Sequence, residues 1–212
     1  MGTLRAEIYV DKMPITSANF LDLAKSGFYD GLHIHRVIPG MCVQFGCPFT
    51  KDPFSPKAGM GFPTPHGAFF TRDGRKIQRD EKGAFEDEFP LCPRLTNKPG
   101  TLAMCNLNAP DTCGSQFFVN VAHNRFLDFF DDQSPAEHPV FGKLNEESFD
   151  LVKKMCEEET TPPLDMPINP IKVLSVTIFD PNEPPKDPNN DPKRMGRDGP
   201  SAAFKALLAD DG

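Results

Sequence analysis

The sequence predicts a mainly β protein in which an antiparallel sheet closes on itself and has helices at its ends. Its 212 residues include 23 Pro and 16 Gly, which interrupt long helices and favour turns. Short apolar runs separated by turn residues recur along the chain, and only two segments have the spacing of an amphipathic helix. Because strands and helices do not alternate regularly, a parallel sheet with crossover helices does not fit.

The first strand is predicted over residues 4–10 (LRAEIYV), where apolar side chains alternate with polar or amphipathic ones. Successive side chains of a strand point to opposite faces, so we expect Phe117 and Phe118 to lie on different sides of the sheet. Six further segments have the composition of short strands: 32–38, 41–46, 101–107, 115–121, 139–144 and 172–179.

The first helix is expected to be capped by Thr16 or Ser17 and to end at Gly27. The second is expected to begin at Asn145, with acidic residues near its positive N-terminal end. The buried face consists of Phe20, Leu23 and Ala24 in the first helix and of Phe149, Val152 and Cys156 in the second.

Two segments differ in composition from this framework. Residues 47–84 are rich in Pro, Gly and charged side chains, and we expect a long inserted loop region over the surface of a domain spanning 1–179. Residues 180–212 are rich in Pro, Asn and Asp and are expected to form a disordered tail. Within this tail, residues 202–209 (AAFKALLA) could form one or two helical turns that dock elsewhere, or simply a frayed terminus.

The overall charge and the cysteines restrict the partners and the compartment. A net charge of -7 opposes general binding to nucleic acid, which needs clustered Lys and Arg. The N-terminus has no apolar signal core, no apolar run approaches the length of a membrane span, and six Cys occur without a CxxC pair. We therefore expect reduced thiols and a monomer in the cytoplasm, with the nucleus as the alternative, and no membrane partner.

Several motifs in order resemble the cyclophilins, which are peptidyl-prolyl cis-trans isomerases. The segments 35–40 (HRVIPG) followed by Gln44, and 114–118 (GSQFF), resemble the family's two signature stretches. Further matches are Asn19-Phe20, 85–88 (FEDE), 100–104 (GTLAM) and 140–142 (VFG). The resemblance covers roughly residues 4 to 179. It implies a closed barrel of eight antiparallel strands capped by two helices, an activity that needs no cofactor or metal, and proline-containing peptides and proteins as substrates.

The chemistry of this reaction explains which residues it needs. A peptide bond rotates slowly because amide resonance gives it partial double-bond character. A hydrogen-bond donor to the prolyl nitrogen weakens that resonance, while an apolar pocket holds the ring and polar groups hold the flanking backbone. Arg36 matches the family's catalytic arginine, and a guanidinium is always charged with fixed donors. An ion pair on the surface of a strand is its ordinary alternative role.

The resemblance also implies a substrate-binding set around Arg36. Met41, Cys42, Phe118 and Leu127 match the proline pocket, and Gln44 and Gln116 match its polar anchors. Asn106 matches the asparagine that binds substrate backbone, although one extra residue before Pro110 leaves Asn108 as the alternative. The set is completed by His138 at the pocket rim, by His35 and Cys105, which adjoin Arg36 and Asn106, and by Phe126.

The chain departs from the family pattern at several positions. Phe126 replaces a Trp that contacts cyclosporin in many cyclophilins, so we expect weakened cyclosporin binding with activity retained. Met41 replaces the usual Phe and should make the pocket floor more deformable. Residues 128–137 are longer and more acidic than usual, which could favour substrates with basic flanks. Cyclophilins have one more strand before the one predicted over 4–10, so we expect another segment to cover that edge.

Two rival interpretations remain open from the sequence. The first is a zinc site formed by His33, His35, Cys42 and Cys47, although no second tight pair of ligands accompanies the histidines. The second is a module that binds proline-containing peptides and recruits partners with little turnover. The groove and the donor required for catalysis also suit such a binder, so the sequence does not separate the two functions.

Overall fold

The computed structural model describes residues 1–89, 92–131, 137–179 and 202–210, the last of these by strand pairing alone. Among these residues there are two α-helices, α1 (Pro14–Lys25) and α2 (Glu146–Met155). The strands are β1 (Gly2–Ile8), β2 (Arg36–Ile38), β3 (Cys42–Phe45), β4 (Ala68–Phe70), β5 (Lys76–Gln78), β6 (Thr101–Met104), β7 (Phe117–Asn120), β8 (Val140–Leu144), β9 (Thr160–Thr161), β10 (Met166–Pro167), β11 (Ile171–Phe179) and β12 (Ala202–Asp210). The mainly β composition with two helices is as predicted.

Eight of these strands form one sheet in the order β11-β12-β1-β8-β6-β7-β3-β2, and all neighbours in it are antiparallel. The strand order is open, with β11 and β2 at its two edges, so it does not by itself give the closed barrel of the sequence prediction. The segment before β2 nevertheless lies against β11, since Gly31 N donates to Val173 O at 2.7 Å and Ile34 N donates to Ile171 O at 2.9 Å.

The C-terminal strand β12 lies between β1 and β11. Its register runs from Gly2 opposite Leu208 to Ile8 opposite Ala202, and on its other side it pairs with β11. The expectation that another segment covers the edge of β1 is confirmed. Residues 202–209, for which helical turns and a frayed terminus were the alternatives, form a strand, so neither alternative is correct. An isolated helix of that length is marginal in water, and a strand there pairs the open backbone groups of two neighbours. Residues 180–201 of the predicted tail lie outside the described residues.

The start of α1 differs from the prediction. The helix begins at Pro14, two residues before Thr16, and the side chain of Met13 at its N-cap accepts no hydrogen bond. Instead, the carboxylate of Glu88 accepts hydrogen bonds from the backbone N–H of Ile15 and of Thr16, both at 2.8 Å. The cap by Thr16 or Ser17 is therefore wrong, because a distant carboxylate satisfies the free N–H groups and suits the positive end of the helix.

The other helix boundaries agree with the sequence. Gly27 follows α1 with a φ of 72°, and its N–H donates to Ala24 O while Phe28 N–H donates to Leu23 O. This pair of bonds is the Schellman motif, which favours glycine at that position. At α2, the Asn145 side chain accepts from Ser148 N at 3.0 Å, as expected for a capping asparagine.

The main core lies between one face of the sheet and α1. Buried side chains of β1 pack there with an aromatic group whose members are Phe20, Tyr29, Phe117 and Phe141. The inserted region 47–84 is attached to the same helix, because the buried Arg79 donates to Asn19 Oδ1 at 2.9 Å and to Asp22 Oδ2 at 2.7 Å. A second, smaller cluster of buried apolar side chains lies on the opposite face of the sheet.

Candidate active site

A row of side chains crosses four strands on the face of the sheet opposite the core. Arg36 in β2 lies opposite Gln44 in β3, Gln44 lies opposite Phe118 in β7, and Phe118 lies opposite Ala103 in β6. Residues directly opposite one another in a sheet point to the same face at a spacing of about 5 Å. The register therefore places the predicted donor, a polar anchor and the predicted pocket aromatic side by side.

Alternation along the strands separates this row from the core. Phe117 belongs to the main core, whereas Phe118 packs in a second buried cluster with Cys42, Ala103, Leu127 and Val140. The prediction that the two phenylalanines face opposite sides is confirmed. Met41 and Cys105 are half-buried at the edge of this cluster, which therefore forms an apolar surface next to Arg36.

The two glutamines connect the row to the inserted loop. Gln44 Nε2 donates to Gln116 Oε1 at 3.2 Å, and Gln116 Nε2 donates to the carbonyls of Gly59 and Gly61 at 2.8 and 2.9 Å. A cavity of about 50 Å³ opens here, and its lining includes Gln44, Gly61, Phe62, Asn106, Leu107 and Gln116. The insertion thus forms one wall of the groove beside the predicted pocket.

Of the two candidate asparagines, Asn106 lines this cavity and Asn108 does not. The side chain of Asn106 is fixed on both sides, because its Nδ2 donates to Glu137 O and its Oδ1 accepts from Asn108 N at 3.1 Å. Asn108 occupies the left-handed region with a φ of 55° and is exposed. The extra residue therefore lies in the turn that follows Asn106, and Asn106 keeps its position at the cavity.

Arg36 has an acidic partner that the sequence reasoning missed. Its Nε donates to Asp165 Oδ2 at 3.3 Å, and the two side chains are 45% and 36% exposed. Asp165 lies in the turn between β9 and β10, 129 positions away in the sequence, and its carbonyl accepts from Val37 N at 2.8 Å. A Pro-Pro-Leu-Asp segment indicates a turn, but nothing local indicates which strand that turn meets.

Both histidines of the predicted set are held in the neutral form. His35 is 4% exposed, and burial lowers its pKa to about 4, although the nearby Gln116 side chain opposes part of this shift. His138 Nδ1 lies 2.9 Å from Met104 O, its ring meets Phe118 edge to face, and burial lowers its pKa as well. His35 is thus a buried neutral imidazole near Gly59, which lines the cavity, while His138 borders the apolar cluster.

The cysteines of the set carry protonated thiols at neutral pH. Burial raises the pKa of Cys42 to about 12 and also raises that of Cys105, so neither is a ready nucleophile. Within the described parts of the chain no three His, Cys, Asp or Glu side chains form a metal-binding group. His33, one of the four zinc candidates, has its ring Nδ1 2.7 Å from Thr50 O.

The segment after β7 contributes one buried and one exposed residue to the site. Leu127 is 6% exposed within the apolar cluster, and the neighbouring Phe126 is 50% exposed. Asp128, the first of the acidic residues, is buried, and its carboxylate accepts from Asn97 N at 2.7 Å and from Asn97 Nδ2 at 2.9 Å. Its charge therefore supports the loop and does not face the groove, while residues 132–136 lie outside the described ranges.

No helix among the described residues is long and apolar enough to cross a membrane. The family model for cyclophilin type peptidyl-prolyl cis-trans isomerases matches residues 1–178 of the chain. A peptidyl-prolyl cis-trans isomerase of Acinetobacter baylyi is 32% identical over 181 residues, covering 84% of this chain and 81% of the relative. A peptidyl-prolyl cis-trans isomerase-like 3 of Dictyostelium discoideum is 33% identical over 180 residues, covering 84% and 90%.

A solved structure supports the fold. The cyclophilin type isomerase of Cryptosporidium parvum, crystallised in the presence of the dipeptide Ala-Pro, has a TM-score of 0.58 and 24% sequence identity. The similarity covers 82% of this chain and 96% of that one. At this level of identity the similarity concerns the chain path alone, and it agrees with the antiparallel sheet and two α-helices described above.

Proposed function

This chain belongs to the cyclophilin-type peptidyl-prolyl cis-trans isomerases, and from that membership we propose that Arg36 is the catalytic residue. The reaction is rotation about Xaa-Pro peptide bonds. The observation that supports the role of Arg36 is its position: it stands at the end of the row with Gln44 and Phe118, beside the apolar cluster and open to solvent. A proline held in that cluster would present its nitrogen to the guanidinium.

The energetics of the reaction fit a single donor with a pocket. Rotation of a peptide bond has a barrier of about 20 kcal/mol, which corresponds to an uncatalysed rate on the order of 10⁻² per second. An acceleration of about 10⁵ requires stabilising the transition state by about 7 kcal/mol more than the ground state. A charged donor aimed at the prolyl nitrogen reduces amide resonance in the twisted state, so no bond to the enzyme has to form.

We assign the remaining residues by what they can contact. Cys42, Phe118 and Leu127 provide the apolar surface for the proline ring, with Met41 at its edge. Gln44, Gln116 and Asn106 surround the adjacent cavity and can hold the substrate backbone on one side of the bond. Rotation about the bond requires that the chain on one side of it is held while the chain on the other side turns. His138 is neutral and packs against Phe118, so it shapes the pocket rim.

Proline-containing peptides and protein segments are the proposed substrates. We further propose that the sheet closes into a barrel, because backbone hydrogen bonds join residues 31–34 to β11 across its open edge. All six cysteines are free thiols, which supports a reducing compartment, the cytoplasm or the nucleus. We propose a monomer as the simplest working form.

The test of Arg36 is an exchange NMR experiment on a short Ala-Pro peptide, which measures binding and turnover in the same sample. We expect Arg36→Ala to reduce turnover about a hundredfold or more with the fold retained. Arg5→Ala is the matched control, since Arg5 is also a strand arginine, 48% exposed and paired with Glu147. Unchanged turnover in Arg36→Ala would contradict the proposal, and binding without turnover in the wild type would favour a recruitment module.

A further inference from the structure

In its contact with Asp165, Arg36 uses only one of its three guanidinium nitrogens. Asp165 accepts the Nε–H of Arg36, which is the donor nearest the backbone, at 3.3 Å. Within the described residues the two terminal nitrogens of the guanidinium make no hydrogen bond. The guanidinium is planar, so fixing Nε also fixes the plane in which the terminal N–H groups lie. The guanidinium is thereby oriented through Nε, while its terminal N–H groups have no partner among the described residues.

The backbone holds Asp165 against β2 independently of this ion pair. The carbonyl of Asp165 accepts from Val37 N at 2.8 Å, so the turn between β9 and β10 is attached to the residue that follows Arg36. Asp165 itself has a φ of 53°, in the left-handed region where Asp and Asn are the favoured non-glycine residues. The backbone hydrogen bond to Val37 therefore holds the Asp165 carboxylate next to Arg36 whether or not the ion pair forms.

We propose that Asp165 is a positioning residue for the reaction, which orients the terminal N–H groups of Arg36 toward the prolyl nitrogen. The inference rests on the catalytic role proposed for Arg36. An arginine that is 45% exposed samples many rotamers unless something holds it. Asp165 removes part of that freedom before substrate binds, and its charge remains available to the guanidinium when the substrate bond twists.

Asp165→Asn is the variant that isolates this role. Asn is at least as well accepted as Asp at a positive φ and keeps the backbone carbonyl bonded to Val37, so the turn is retained while the charge is removed. We expect catalysed exchange of the Ala-Pro peptide to fall about three- to tenfold with peptide affinity unchanged, because the interaction acts on orientation in the transition state. The NMR signal of the Arg36 Nε–H should shift and exchange faster with water.

Two comparisons distinguish the possible results. Asp11→Asn, which removes an exposed partner of Arg72 at 2.7 Å, should leave catalysis unchanged. In the Arg36→Ala background, Asp165→Asn should have no further effect on turnover, because the two residues act through one contact. Unchanged or increased turnover in Asp165→Asn alone overturns the inference, as does an equal loss in the Arg36→Ala background. If only Arg36→Ala loses activity, Arg36 is catalytic and Asp165 does not position it. If Arg36→Ala keeps its activity, both proposals are contradicted.

Discussion

Phe117 and Phe118 are neighbours in β7, yet they are buried on opposite faces of the sheet in two separate clusters. Phe117 contacts the rings of Phe20, Tyr29, Phe45 and Phe141, all in the main core. Phe118 meets the ring of His138 at the groove. Adjacent positions of one strand therefore serve the main core and the proposed substrate-binding surface.

Substituting each phenylalanine by alanine should separate the two properties. We expect Phe117→Ala to lower the free energy of unfolding by about 3–5 kcal/mol, the cost of a cavity in a well-packed core. Phe118→Ala should cost less stability, because its cluster is smaller, and should weaken binding of an Ala-Pro peptide at least tenfold. Urea unfolding and NMR titration measure the two quantities. Equal peptide affinity in folded Phe118→Ala and wild type would contradict this division.

Removing residues 202–210 should destabilise the whole domain. The deletion leaves the backbone hydrogen-bonding groups of β1 and β11 that face β12 without partners, and such unpaired edges promote aggregation. We expect a loss on the order of several kcal/mol, a large fraction of the 5–15 kcal/mol typical of a domain. The measurement is urea unfolding combined with size-exclusion chromatography.

The control for this deletion removes residues 211–212 alone. A synthetic peptide with the sequence of 202–210, added to the shortened chain, should restore part of the lost stability in a concentration-dependent way. An unfolding midpoint that is the same with and without residues 202–210 would show that β12 contributes nothing to the domain.

The buried His35 should make the protein less stable in mild acid. Burial lowers its pKa in the folded state to about 4, while the unfolded chain retains the ordinary value near 6.5. Between these values the unfolded state binds the proton more readily, so the stability present above about pH 6.5 is lost as the pH falls toward 4. Urea midpoints from pH 4 to 7 should fall less steeply in His35→Gln than in the wild type. His123→Gln, at an exposed histidine, is the control and should follow the wild type.

Phe126→Trp should increase affinity for cyclosporin without changing isomerase activity. Phe126 is 50% exposed beside the buried Leu127, so an indole can replace the phenyl ring without displacing core side chains. The larger ring adds contact area and an N–H donor that phenylalanine lacks. Titration of cyclosporin against both proteins measures the difference, which we expect to be about tenfold. Equal affinities would show that position 126 does not limit binding of this ligand.

The sequence predicted those features that depend on local patterns. Alternation in β1 and β7, the Asn145 cap and the left-handed Gly27 all follow from neighbouring residues, and the ordered motifs around Arg36 and Gln116 identified the family. The features it missed depend on contacts between distant segments. Glu88 replaces the expected cap of α1 from 72 and 73 residues away, and Asp165 meets Arg36 from 129 away. Turn and cap propensities describe which residues end an element, but they do not identify the surface that a turn touches.

The position of β12 sets the order in which this domain can be completed. Of the described strands, β1 is synthesised first, but one of its two partners in the sheet is the last of them, β12. A contact between segments so far apart in the chain forms late and slows folding. Until residues 202–210 have left the ribosome, β1 and β11 each lack the neighbour that β12 provides, and the nascent chain is exposed to pairing with other chains.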